Sequence, residues 1–451
     1  MSTVSPHIPH FDAIDNGESR GGLPRPATYF VMWLILLLTA ANYVRLAVHR
    51  PIAQQDMPDF RAYYVAADAL NQGQDPYDHQ VLVELAGELG LGNVPKYLPS
   101  PLLAVVARPL ARFSFYAATV VWTLLSNVAF AMAFLLGIVL LRGKLTFRKT
   151  VVLLFAAGSF TPVWRTMENG HVDAFTFLLL MFCLYWALGA RDWRAGALLG
   201  VAALLNIYVG LLLFYFLFRR RWRVVLGGLA TILVCAVVTV LNVGLPVHLG
   251  FVRYGLWQAF SGERATLPHN SSVAGLFARM FIPNEWVGHI WKAHWLAVGL
   301  AIIATLFVVW LFIRRLLRDV EDGESMKYEF ALALILILVV SPVTLPHHMI
   351  WLVWPLLLLI DRYWARHFDG VAPLTLLAAY FLICFPAITP RFFWGPLSML
   401  FSFKLLALGL LWVQVARILQ IQSFEAMKLD PSLATLPITQ PEPVDPEDER
   451  M

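Results

Sequence analysis

Apolar runs of near-bilayer length recur along this chain, separated by short basic clusters, and that alternation constrains its fold more than any other feature. The runs fall near 28–48, 115–141, 150–164, 172–189, 224–246, 294–313, 328–344, 349–362, 371–386 and 398–418. A straight helix needs about 20 apolar residues to cross a hydrocarbon core. Several runs are shorter and read as short helices packed among longer ones. Of the 451 residues, 59% are hydrophobic and only 14% charged, against roughly 25% charged in a soluble domain. So little charge cannot clothe a soluble fold of this size. A soluble enzyme, a disordered chain and a nucleic-acid binder are excluded. The expected fold is all-α, a polytopic membrane protein with about 10–12 transmembrane helices.

Basic residues orient it. Arg142/Lys144/Arg148/Lys149, Arg191/Arg194, Arg219/Arg220/Arg221/Arg223, Arg314/Arg315/Arg318/Lys327 and Arg362/Arg366 all fit one cytoplasmic side. Both termini then lie in the cytoplasm, as a flexible polar tail over 1–27 and an acidic, proline-rich disordered tail over 423–451. Between them, 28–422 forms the membrane domain, with long outer loops at 49–114 and 247–293 and shorter ones at 165–171, 345–348 and 387–397. The first run, Tyr29 to Val48, has no small-residue cleavage site after it, so it reads as a span and not a signal peptide. Cys183, Cys235 and Cys384 lie inside apolar runs without metal or disulfide spacing.

Residues 195–218 carry basic clusters on both flanks, so one crossing would expel a cluster. Asn206, Tyr208 and Gly210 interrupt the middle. A re-entrant hairpin from the cytoplasmic side satisfies both facts, and a single helix with an imperfect charge rule is the alternative. The stretch 98–112, broken by Pro99, Pro101 and Pro109, reads as a juxtamembrane helix at the outer interface.

Polar residues gather in the outer loops. Asp59 follows Pro58 ahead of a helical pattern. It either caps that helix or offers a carboxylate that takes a proton from an acceptor hydroxyl. Arg165, Glu168, Asn169, Gly170, His171 and Asp173 form a dense set that suits a phosphate, a sugar or a solvated turn. Asn270-Ser271-Ser272 precedes a short apolar run, where a helix cap and a sugar partner are both open readings. His347 and His348 are adjacent and do not share a helix face, so alone they make a poor metal site, but either ring can donate to a phosphate oxygen. Arg253 and Arg391 are weaker outer-loop candidates. No constellation demands a metal or a cofactor. Mid-depth ionisable residues, usual in transporters, are almost absent. That favours chemistry on a lipid-borne substrate at the outer face, and leaves a transporter or lipid-linked-sugar flippase as the rival.

In order, the motifs are Asp59-Phe60 with Tyr63-Tyr64; Gly73-Gln74-Asp75-Pro76-Tyr77; Tyr97-Leu98-Pro99-Ser100-Pro101; Arg108-Pro109-Leu110; Glu168 to Asp173; Asn270-Ser271-Ser272; and Ser341-Pro342 with His347-His348. This order resembles the family 87 glycosyltransferases, whose best-known members are polyprenyl-phosphate-mannose-dependent mannosyltransferases. The resemblance implies a type C glycosyltransferase fold in a bacterial inner membrane, with the active site outside. It implies transfer from a polyprenyl-phosphate sugar to a glycolipid or glycan acceptor. Asp59 then matches the catalytic base of an inverting displacement, and His347 or His348 a position near the donor phosphate. Arg165, His171 and Asn270 become further donor-phosphate or sugar partners. The chain departs from the family's usual Gly-Gln-x-Asn at Gly170-His171-Val172-Asp173, and from its hairpin lysine and proline at Asn206-Ile207-Tyr208-Val209.

Overall fold

In a computed structural model, residues 25–141, 143–260, 264–284, 289–317, 323–386 and 402–429 are described. Most of both expected tails, and Arg391, lie outside these residues. Every regular element among the described residues is a helix, as expected for a chain that must satisfy its backbone within apolar segments. Among the described residues, five helices are long and apolar enough to cross a membrane: Pro26–Gln54, Phe115–Leu140, Trp222–Val243, His294–Leu316 and Phe403–Gln422. Asp173–Leu188, Ile207–Phe218 and Ala372–Cys384 are shorter apolar helices. The long helices leave large apolar side chains uncovered, such as Leu233 and Ile303, each 65% exposed. Belts of this kind suit lipid and not water.

The core forms where helices lack a polar side. Gly323–Val340 is buried almost all round, which is the position an apolar helix takes inside a bundle. Asp192–Leu205 packs on Trp222–Val243 through a seam of small residues. A Cβ on Gly196 would lie 2.2 Å from the Val224 carbonyl oxygen, and one on Gly200 would lie 2.6 Å from that of Gly228. Glycine there permits the close backbone approach that van der Waals packing in lipid rewards.

Residues 195–218 form a helix, Asp192–Leu205, an extended Asn206, a 3₁₀ turn, Ile207–Leu211, and a second helix, Leu212–Phe218. Its two ends return to one place, because Arg221 bonds both the Asp192 carboxylate and the Ala187 carbonyl. About 21 Å of helical rise, from 14 residues at 1.5 Å each, therefore carries Asn206 toward the opposite end of the bundle. There the Ser100 hydroxyl donates to the Leu204 carbonyl at 2.6 Å. The prolines at 98–112 leave only the short helix Pro101–Ala107 and a 3₁₀ turn.

The run at 150–164 is not one helix. Phe147–Gly158 ends, and Thr161–Asn169 begins again with Pro162 in its first turn. Proline lacks an N–H and suits a helix start, where that donor would be unused. Arg165, Glu168 and Asn169 consequently ride on a helix and not in a loop.

Candidate active site

The helix Pro58–Asn71 supplies the first group. Pro58 starts it, Met57 is the N-cap residue, and no side chain caps it. Asp59 is therefore not a cap. It stands in the first turn, half-buried, with no hydrogen-bond partner among the described residues. Tyr63, one turn on, shares its face and is buried at 3% exposure. Burial pushes the Asp59 carboxyl above the usual carboxylate range; the positive charges of His171 and Arg264 oppose that rise, and Asp173 adds to it.

A sharp turn aims the second group at the first. Thr161–Asn169 ends at Gly170, left-handed at φ 68°, which receives the Trp122 indole N–H on its carbonyl at 2.9 Å. A Cβ on Gly170 would sit 2.5 Å from Phe60 Cβ, so this turn needs glycine twice over. The next residue, His171, lies with Nδ1 3.1 Å from Asp173 Oδ2. Asp173 is fully buried, and the Asn206 amide donates to its other oxygen at 3.0 Å. The break in the hairpin thus fixes Asp173, and Asp173 fixes His171. Burial pulls the imidazole down, but the two aspartates outweigh it and leave His171 raised above the ordinary histidine value.

His347 and His348 complete the group on the 3₁₀ turn Pro346–Leu352. The His171 ring stacks on His347 at 4.2 Å and meets His348 edge-on at 5.3 Å. The Asn169 amide nitrogen lies 3.1 Å from His347 Nδ1, and Thr166 Oγ1 donates to the His347 carbonyl at 3.0 Å. Burial holds His347 well below the histidine range, helped by the neighbouring histidines and Arg264; His348 falls to about 3, mainly through burial. The proton shared by this cluster therefore resides on His171.

These three histidines could in principle hold a metal ion, since one ring nitrogen of each lies within 4.8 Å of the others. Their partners favour another role. The Leu345 backbone N–H donates to His348 Nδ1 at 3.2 Å, so the neutral ring carries its proton on Nε2. The Asn169 amide does the same for His347. An Nε2–H donates to an anion, whereas a metal needs a lone pair.

Asn270 does not join the cluster. Its amide donates to the Ala265 and Pro342 carbonyls and accepts from the Ser272 and Thr344 N–H groups. That uses its whole bonding capacity. Asn270 clasps the turn that leads into His347, and Ser272 caps Val273–Phe281. Arg165 lies one helical turn before the site and pairs with Glu168 at 2.8 Å, and Glu168 also holds Arg50 at 2.9 Å. Sequence reasoning missed Arg264, which acts on Asp59, His171, His347 and His348 together. It also missed Asn206 as an anchor. An isolated arginine in a loop carries no pattern that would mark it.

The profile described as glycosyltransferase family 87 matches residues 97–342. His171, Asp173, Arg264 and Asn270 fall inside this match, and Asp59, His347 and His348 outside it. The chain is 28% identical over 367 residues to the polyprenol-phosphate-mannose-dependent alpha-(1-2)-phosphatidylinositol mannoside mannosyltransferase of Mycobacterium tuberculosis, covering 77% of this chain and 80% of that one. It is 32% identical over 198 residues, 42% of each chain, to the protein of the same name from Mycolicibacterium smegmatis. No solved structure matches.

Proposed function

The chain belongs to glycosyltransferase family 87, and from that premise we propose that it moves a sugar from a polyprenyl-phosphate donor to a glycolipid or glycan acceptor at the outer face of a bacterial inner membrane. Mannose is the first sugar to test, because the relative matched over 77% of the chain is named for it. The observation that carries the reading is a half-buried carboxylate, Asp59, free of hydrogen bonds among the described residues and within electrostatic reach of His171 and Arg264.

Asp59 takes the proton from the acceptor hydroxyl. The hydroxyl oxygen forms a bond to the anomeric carbon from the side opposite the phosphate. The bond from that carbon to the phosphate oxygen breaks, and the configuration inverts. The departing phosphate gains negative charge beside His171, Arg264 and the Nε2–H groups of His347 and His348. Fixed donors at a developing charge lower the barrier without reorganisation. One base suffices, because a phosphate ester already leaves readily.

The test is transfer of labelled mannose from a polyprenyl-phosphate donor in membranes holding wild type or Asp59→Asn at equal protein level. Transfer by wild type and its loss in the variant support the reading. Equal transfer in both removes Asp59 as base.

A further inference from the structure

A second group of cations lies beside the reacting groups and is not used by them. Lys404 stands in the first turn of the 27-residue helix Phe403–Leu429. It is 6% exposed, with neither a carboxylate nor a hydrogen-bond partner among the described residues. Its neighbourhood adds positive charge. Arg279, 1% exposed, donates to the Leu267 and Asn270 carbonyls and, at 2.7 Å, to Ser402 Oγ. That stitches the loop bearing His269 to the start of the Lys404 helix. Thr161 Oγ1 donates to the Cys384 carbonyl at 2.9 Å, which brings the helix bearing Arg165 to the same edge. Burial lowers the His269 ring, and Lys404, Arg165 and Arg279 all lower it further. The carboxylate on this edge, Glu168, is already shared between Arg50 and Arg165.

A buried ammonium with no counter-charge is costly, and more cations around it raise that cost. The start of a long helix adds unbonded N–H groups of the same polarity. Such an arrangement is relieved by an anion. Exposed apolar side chains stand on the same two helix ends: Leu406 is 61% exposed, Phe381 62% and Phe385 51%, and Phe385 meets the Phe403 ring edge-on. An anion seated here would carry an apolar tail along those side chains.

We propose that Lys404, His269 and Arg165, held in place by Arg279, form a second anion seat that takes the phosphate ester of a lipid. This deepens the donor reading above and rests on it for the lipid's presence at the site. Two sources share the chemistry: the polyprenyl phosphate left after transfer, and the phosphodiester of a phospholipid-type acceptor or bilayer lipid.

Thermal unfolding of the full-length protein in detergent tests it, with polyprenyl monophosphate, phosphatidylinositol or inorganic phosphate added. A ligand that binds the folded state raises Tm with its concentration. Wild type responds to a lipid phosphate. Lys404→Met loses that response, by about tenfold or more in apparent affinity, while its ligand-free Tm equals or exceeds wild type. Lys404→Arg keeps the response. A rise with polyprenyl monophosphate assigns the seat to the donor's lipid, and a rise with phosphatidylinositol assigns it to the acceptor or bilayer. If Lys404→Met does not fold, His269→Ala weakens the response instead. An unchanged response in the folded variants, no response to either lipid, or an equal response to inorganic phosphate overturns the proposal. Asp59→Asn separates the two readings: retained sugar transfer by that variant sinks the catalytic assignment and leaves the lipid response of this seat standing.

Discussion

At one end of the helices Lys149 pairs with Asp361, Arg219 with Glu329 and Arg221 with Asp192; at the other, Asp59 and Lys404 have no hydrogen-bond partner among the described residues. At the paired end these six charges are matched. Glu329 is 1% exposed and accepts from the Arg219 guanidinium and, at 3.1 Å, from the Tyr215 hydroxyl. Lys149, also 1% exposed, is matched by a carboxylate from a helix two hundred residues away. Buried pairs of this kind fix the register of helices, and removing one partner leaves an uncompensated charge. The open end keeps groups that can take a proton or meet a charge. One end ties helices to one another, and the other keeps the groups assigned above to the proposed chemistry.

Substitutions can break this contrast. The largest effect falls on transfer: Asp59→Asn should lower the rate by about 10²- to 10⁴-fold, the scale of a lost general base, with Tm unchanged. A matching fall in Tm would place Asp59 with the structural charges. Glu329→Gln should do the opposite, costing about 3–5 kcal/mol of stability while the activity of the surviving folded protein stays near wild type. Thermal unfolding beside a single-turnover assay reads both. Gly170→Ala should lose activity and stability together. It forces a side chain into a left-handed position against Phe60, at a cost of about 1–3 kcal/mol for the backbone alone.

The smallest and sharpest effect is on pH dependence. In the proposed mechanism Asp59 works deprotonated, and its pKa is raised, so transfer should fall as pH drops through that value. In the same proposal His171 works protonated, and it is also raised, so transfer should fall as pH climbs through its value. The profile is a bell. Asp173→Asn removes the carboxylate that holds the proton on His171, so the alkaline limb should move to lower pH while the acid limb moves little. An unmoved alkaline limb would remove His171 as the titrating cation.

Much of the scaffold was legible. Apolar runs of helical length gave the helices, and the hairpin break at Asn206 followed from a charge conflict. The proline at 162 was as visible as those at 98–112, yet the run at 150–164 read as one segment because apolar character continues across it. At Asp59 and at Asn270 the structure removed one of the two open readings. Capping was one reading of Asp59, and Met57 takes that position instead. Asn270 looked like a sugar partner, and four bonds across two loops leave it no capacity for one. Capping is decided within a few residues, but whether an amide is free depends on chain brought from far away.

That division holds for the whole molecule. Sequence alone determined an all-helical chain for a lipid environment, the family it resembles, and the carboxylate and histidines worth testing, because hydrophobic length and local residue order are written along the chain. Tertiary structure decided that Asn206 grips Asp173 across 33 positions, that the charge of Arg264 reaches Asp59, and that Lys404 is buried among cations. Each depends on which helix ends meet, and that is set by packing, which no local stretch of sequence encodes.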